Sequence, residues 1–179
     1  VFFPIDFARS EIDWVLNLIN RVATEGHMDA LALVDTFGVL SPHAVQFFVR
    51  AVKAKFPDTR LETHFHQDFG MGVANTILAL AEGAEVVHST VLGLGERAGN
   101  APTEDTVMAL LTMYDIDCGL NYDKLYPLAK MVQDIAKVDV PSNRSVVGDS
   151  VFKVESGIIA NWFRNCGTEY QTELFPFRP

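Results

Sequence analysis

Apolar and polar positions along the chain follow two alternating rhythms. Segments of strand length at residues 1–5, 30–34, 61–66 and 86–90 are each followed by a stretch in which apolar residues return every three to four positions. The first, VFFPI, predicts a strand. After it Ile12, Val15, Leu16, Ile19 and Val22 predict a helix, with Ser10 as N-cap, Asp13 near the positive end of its dipole and Gly26 as its stop. ALALV predicts the second strand. The next helix opens on Ser41 and Pro42, a cap followed by proline, with Ala44, Phe47, Phe48 and Val52 as its buried side and Pro57–Asp58 as its end. The third strand leads through two glycines into a helix carrying Val73, Ile77 and Leu80. The fourth leads through a glycine-rich loop, residues 93–100, to a helix capped by Thr103 with Glu104 and Asp105 in its first turn. Four successive β/α units with short links specify a parallel sheet wrapped by helices, an α/β fold of barrel type.

From about residue 115 the rhythm changes. Leu125, Leu128, Ala129, Val132 and Ile135 predict one more helix over residues 122–136, followed by a loop-rich stretch and an aromatic, proline-containing tail, ELFPFRP. The expected organisation is a β/α part over residues 1–116 and a partial helical and loop subdomain over residues 117–179.

Composition narrows the function. With 179 residues and 49% hydrophobic content the chain can bury a substantial core. A net charge of −9 without a Lys/Arg cluster argues against nucleic acid or an anionic membrane as partner, and no apolar run reaches the roughly 18 residues of a membrane span. Cys118 and Cys166 lack C-x-x-C spacing, so reduced thiols in a cytoplasmic protein are expected. The chain opens on Val1, already inside a strand, which is the expectation for a fragment.

Candidate chemistry concentrates in LETHFHQDFGMGVAN, residues 61–75. Alternation puts Leu61, Thr63 and Phe65 on one face and Glu62, His64 and His66 on the other. Residues two apart lie roughly 6.5 to 7 Å apart along a strand, close enough for both imidazoles to reach one metal ion. Taken alone, an H-x-H is more often a pair of strand residues on a solvated face.

The words HFHQDFGMGVANTILALAEGA and, later, GLGERAGNAPTED at residues 93–105 resemble the metal-dependent TIM-barrel synthases and lyases that include isopropylmalate synthase, homocitrate synthase and hydroxymethylglutaryl-CoA lyase. That resemblance covers residues 2–165 and implies the second half of an eight-stranded barrel, about four β/α units, with the start of the following subdomain. It implies a divalent cation (Mg, Mn or Zn) held by His64, His66 and the amide of Asn100, with acetyl-CoA as cosubstrate and a 2-oxo acid as acceptor. Thr36, in DTFG, resembles the threonine that touches the substrate carboxylate; Arg9, in DFAR, resembles the arginine of an E-D-x-x-R word; Thr90 would line the pocket. Glu96 and Arg97 are expected to fix the glycine turn by pairing with each other or with neighbouring loops. A half-barrel exposes unpaired edges, so a homodimer or association with the absent half is expected.

Three departures set limits. The family's first-strand D-x-x-x-R-D-G aspartate, a metal ligand, has no counterpart. The glutamate that precedes the aspartate corresponding to Asp6 is replaced by Ile5, and the histidine of S-G-I-H by Ile159. General acid–base help is worth about 10² to 10⁴ in rate, so three readings stay open: a Claisen-condensing synthase, another lyase, aldolase or carboxyltransferase on the same platform, or a folded half-barrel without turnover. The lyase branch uses a cysteine in its glycine loop, and residues 93–100 contain none.

Overall fold

The computed structural model describes residues 1–166 and 175–178. The chain divides into two compact units, Val1–Thr106 and Val107–Pro179. The first holds a parallel three-stranded sheet in the order β1 (Ala30–Asp35), β2 (Arg60–Phe65), β3 (Val86–His88). In its register Leu31 lies opposite Leu61 and Leu33 opposite Thr63, while His64 sits between Val34 and His88.

The expected first strand shrinks to a bridge between Phe2 and Leu31. Phe2 makes both ladder bonds available to it, to Ala30 and Ala32 at 2.9 Å each. Pro4 has no N–H to continue the ladder, and at Asp6 the backbone turns left-handed (φ 62°) into a 3-10 turn, Phe7–Arg9. The fourth expected strand ends early, at His88, and Thr90 joins Pro102 through an isolated bridge.

One face of the sheet carries the core. Leu31, Leu33, Leu61 and Phe65 pack with Val15, Leu16 and Ile19 of α1 (Ile12–Glu25) and Val45, Val49 and Val52 of α2 (Pro42–Lys55). Each fully buried Val contributes about 1.5 to 3 kcal/mol of apolar burial. The phase of α2 is set by Val45, Val49 and Val52, which leaves Phe47 exposed and Ala44 and Phe48 at the margin of the core; this corrects the expected face. Ser41 caps α2 as expected, its Oγ accepting from the Ala44 amide at 3.3 Å. Ser10 does not cap α1. Glu11 holds that position, and the Ser10 hydroxyl donates to the Asp6 carbonyl. The helix after the histidine strand, α3 (Gly72–Ala81), buries Asn75, Thr76, Ile77 and Ala79.

Helix α4 (Thr103–Tyr114) spans the division at Thr106. In the second unit a 3-10 turn, Tyr122–Lys124, leads into α5 (Leu125–Ala136), which buries Leu125 and Ala129 and leaves Ile135 exposed. A further helix, α6 (Gly157–Cys166), begins at the end of the loop-rich stretch, in a segment for which no element was expected. The second unit also contains a cavity of about 680 Å³ lined by Tyr126, Phe152 and Phe177 among others, none of them a residue expected at a functional site. Residues 167–174 and 179, including part of the aromatic tail, lie outside the described residues.

Candidate functional site

The opposite face of the sheet carries the polar groups. Because His64 and His88 are register partners on adjacent parallel strands, their rings meet, with centroids 5.6 Å apart. His66, one residue past the end of β2, brings its ring to 5.4 Å from that of His64. Phe3 stacks on His88 at 5.4 Å and meets His64 edge-on at 6.0 Å. Below them the buried carboxylate of Glu62 accepts from His88 Nε2 at 2.8 Å and pairs with Arg60 at 3.0 Å. Burial first, then the neighbouring His66 and His88, push the His64 imidazole below its ordinary pKa. The ring is therefore neutral at pH 7, with a lone pair to offer.

The glycine loop closes against this cluster through the backbone. His66 and Asn100 form an isolated antiparallel bridge, and the Ala101 amide reaches the Phe65 carbonyl at 3.0 Å. The Gly99 carbonyl accepts twice, from the Gln67 amide at 3.0 Å and from His66 Nδ1 at 3.1 Å. A carbonyl has no proton to give, so Nδ1 carries the hydrogen, and in the neutral ring Nε2 keeps the lone pair. Tight packing of this loop depends on glycine at two positions. A Cβ at Gly99 (φ 87°) would collide with the Gly93 carbonyl, and one at Gly95 with the Asn100 amide nitrogen.

The cation that the resemblance implies can be tested against these groups. Asn100 Nδ2 makes only a long bond to the Leu94 carbonyl, 3.5 Å, and its Oδ1 is buried without a hydrogen-bond partner. A buried acceptor left unpaired costs about 1 to 3 kcal/mol, and a cation is one way to satisfy it. Two imidazoles in their neutral form and an amide oxygen suit a borderline divalent ion. Among the described residues no three His, Cys, Asp or Glu side chains are grouped so as to hold a cation. The unpaired Asn100 Oδ1 and the imidazoles of His64 and His66, which meet at 5.4 Å between ring centres, have the donor chemistry such an ion takes.

The three residues expected near substrate stand around the same rim. Thr36 Oγ1 accepts from the Asp6 amide at 2.7 Å and keeps its own O–H to donate. Arg9 is held by Asp6 through two 2.7 Å bonds, and its guanidinium lies 3.8 Å from the centre of the Phe37 ring. The Thr90 hydroxyl is buried and unpaired. Asp35 accepts from the Val39 and Leu40 amides and shapes the loop after β1; burial raises its pKa more than these bonds lower it.

Sequence reasoning missed His88 and Phe3, and placed Glu62 on the histidine face without foreseeing its bond to His88. Strand alternation alone puts His88 on the face of Val86, but its contact with His64 depends on the β2–β3 register, which no local signal carries. Arg97, expected to pair with Glu96 or a neighbouring loop, makes its main bond to Asp68 at 2.8 Å, with Glu96 at 3.6 Å.

Parallel strands that hand over to helices at a rim where polar loops converge define an α/β protein with a parallel sheet, here of three paired strands. The chain belongs to the HMGL-like family, whose sequence model matches residues 1–132. It is 44% identical over 153 residues to the candidate (R)-citramalate synthase CimA of Archaeoglobus fulgidus, covering 86% of this chain and 31% of that protein. It is 41% identical over 157 residues to the homocitrate synthase AksA of Methanopyrus kandleri, covering 88% of this chain and 39% of that protein. Among solved structures it resembles the HMG-CoA lyase of Bacillus subtilis with a TM-score of 0.66 and 31% identity, covering 75% of this chain and 46% of that one. The chain thus spans between three and four tenths of the length of those two synthases.

Proposed function

We propose that this chain carries the cation- and 2-oxo-acid-binding part of a synthase of the citramalate, homocitrate or isopropylmalate type, which joins the acetyl group of acetyl-CoA to a 2-oxo acid. The observation that carries this reading is the buried, unpartnered Oδ1 of Asn100, on a residue bridged through the backbone to His66, whose Nδ1 is taken by the Gly99 carbonyl. A divalent cation held there would supply Lewis-acid polarisation of the 2-oxo group. His64, His66 and Asn100 would hold it. The Thr36 hydroxyl would donate to the acid's carboxylate, Arg9 would add positive charge at the same rim, and Thr90 would orient the acid from below.

Ile5 and Ile159 cannot move protons, so the base that deprotonates the acetyl methyl and the acid that assists thioester cleavage lie elsewhere in the assembled enzyme. The chain contributes binding and orientation to the reaction, and turnover calls for more barrel. Residues 1–116 would form the later half of that barrel and residues 117–179 the start of its subdomain, in a cytoplasmic enzyme. β3 is an edge strand among the described residues, and an unpaired edge invites association with the remaining strands or with a second copy. Among the described residues no helix is long and apolar enough to cross a membrane.

Thiol release from acetyl-CoA, assayed with Mg²⁺, Mn²⁺ or Zn²⁺ against a panel of 2-oxo acids, tests the reading, together with Mn²⁺ binding in the presence and absence of each acid. The expected result for the chain alone is Mn²⁺ binding tightened by one 2-oxo acid and not by acetate. CoA release that requires both metal and acid would show that the missing groups are supplied within these residues or by a second copy. An absence of metal binding under all conditions contradicts the proposal.

A further inference from the structure

Arg97 occupies a position that the proposed reaction does not use. It lies in the glycine loop with left-handed backbone (φ 55°), a conformation that L-residues other than Asn and Asp rarely adopt. Its guanidinium makes a forked bond to Asp68, Nε to Oδ1 at 2.8 Å and Nη2 to Oδ2 at 3.1 Å. The same Nη2 donates to the Thr36 carbonyl at 2.5 Å, and the group lies 5.2 Å from the centre of the Phe37 ring. One side chain thereby ties together the loops that follow all three strands.

These bonds close a ring of covalent and hydrogen-bonded links. Arg97 holds Asp68. Asp68 is bonded in sequence to Gln67, whose amide donates to the Gly99 carbonyl, and Gly99 is two residues from Arg97. The Gly99 carbonyl is also the acceptor for His66 Nδ1, and Gly99 is the residue before Asn100. Fixing the ring therefore fixes the plane of the His66 imidazole, its tautomer and the approach of Asn100 Oδ1. A lysine could supply the charge but not the fork to a carboxylate with a third bond to a carbonyl.

From this closure we infer that Arg97, acting with Asp68, is a positioning residue for the candidate cation site: it locks the Gly99 carbonyl against His66 Nδ1 and so aims Nε2 and the Asn100 amide oxygen at one point. This rests on the reading of His64, His66 and Asn100 as ligands. Partners that orient ligating histidines are typically worth 10- to 100-fold in metal affinity, and that range is the effect expected of Arg97.

The test uses the 179-residue chain with Arg97→Gln, Arg97→Lys, Asp68→Asn and the Arg97→Gln/Asp68→Asn double variant. Arg21→Gln, which removes an exposed helix pair with Glu25, is the control. Mn²⁺ affinity is measured by calorimetry, and the His66 tautomer by long-range ¹H–¹⁵N correlation spectra without metal. Expected are 10- to 100-fold weaker Mn²⁺ binding in each Arg97 and Asp68 variant, no further loss in the double variant, and a mixed His66 tautomer where the parent shows Nδ1–H alone. Arg21→Gln should match the parent in both. Parent-like affinity in Arg97→Lys would reduce the role to charge and overturn the positioning claim. An unchanged tautomer in Arg97→Gln and Asp68→Asn would overturn it as well. If the parent chain binds no Mn²⁺, the ligand reading fails on that result, while the tautomer spectra still decide whether Arg97 positions His66.

Discussion

The Nδ1–H of His66 is given to the carbonyl of Gly99, 3.1 Å away, across an interval of 33 residues. That oxygen also takes the Gln67 amide, so a single backbone group sets both the ring plane and the entry of the loop that carries Asn100. An arrangement of this kind suits a ligating histidine, because it fixes the tautomer whose neutral form has its free lone pair on Nε2.

Removing the Asn100 side chain should separate binding from stability. Asn100→Ala deletes a buried acceptor with no partner and a 3.5 Å bond of little worth. Metal affinity should fall at least tenfold, while the unfolding free energy of the metal-free chain stays within about 1 kcal/mol of the parent or rises. Calorimetric metal titration beside denaturant unfolding checks both. A loss of several kcal/mol without metal would mean that Asn100 is structural.

Gly95→Ala attacks the same amide from outside. The added Cβ collides with Asn100 Nδ2, the end of a side chain that can rotate away. The fold should survive, with a melting temperature within a few degrees of the parent, and metal affinity should drop as in Asn100→Ala. Gly99→Ala differs, since its Cβ would meet the Gly93 carbonyl at a left-handed position. Strain of that kind costs about 1 to 3 kcal/mol, so Gly99→Ala should lose stability and metal binding together.

Asp35 is fully buried, and its two oxygens accept from Val39 and Leu40. Asp35→Asn turns one acceptor into a donor facing an N–H. A buried amide is then left unpaired, at a cost of about 1 to 3 kcal/mol, measurable as a lower denaturant midpoint. Because burial raises the Asp35 pKa, its folded state binds a proton more readily than the unfolded one. Its carboxylate therefore opposes folding above that raised value, and this penalty fades as the pH falls toward the ordinary Asp range.

In the second unit Asp149 is held below the usual carboxylate range by Lys130 first and then by Tyr126. A depressed pKa contributes stability above the unfolded value of about 3.9 and loses it as the pH falls through the folded value. A carboxyl NMR titration should place Asp149 below an ordinary Asp. Lys130→Gln and Tyr126→Phe should each move it back up, and an ordinary Asp149 titration in the parent would rule the trio out.

Much of the fold was legible in the sequence because local period carries it. ALALV and LETHF read as strands, and Ser41–Pro42 as a helix start, from residues within one turn of each other. The first strand was over-read because VFFPI is apolar throughout, while the proline that ends its ladder and the left-handed turn at Asp6 are single-residue effects. Helix α6 was missed although Ile158, Ile159, Trp162 and Phe163 have helical spacing, since the polar, proline-containing stretch before it read as continuous loop. His64, His66 and Asn100 were legible only through resemblance to known motifs. The contacts of Arg97 with Asp68 and of His88 with His64 join residues 24 or more positions apart, and loop closure and strand register, on which they depend, leave no local trace.

Cobalt titration of the 179-residue chain, followed by visible absorption, asks most directly whether two imidazoles and an amide oxygen gather one cation. One saturating equivalent is expected, with ligand-field bands that weaken in Asn100→Ala, disappear in His64→Ala and His66→Ala, and persist in a variant of the exposed His27. Failure to saturate, or bands that survive loss of both His64 and His66, would contradict it.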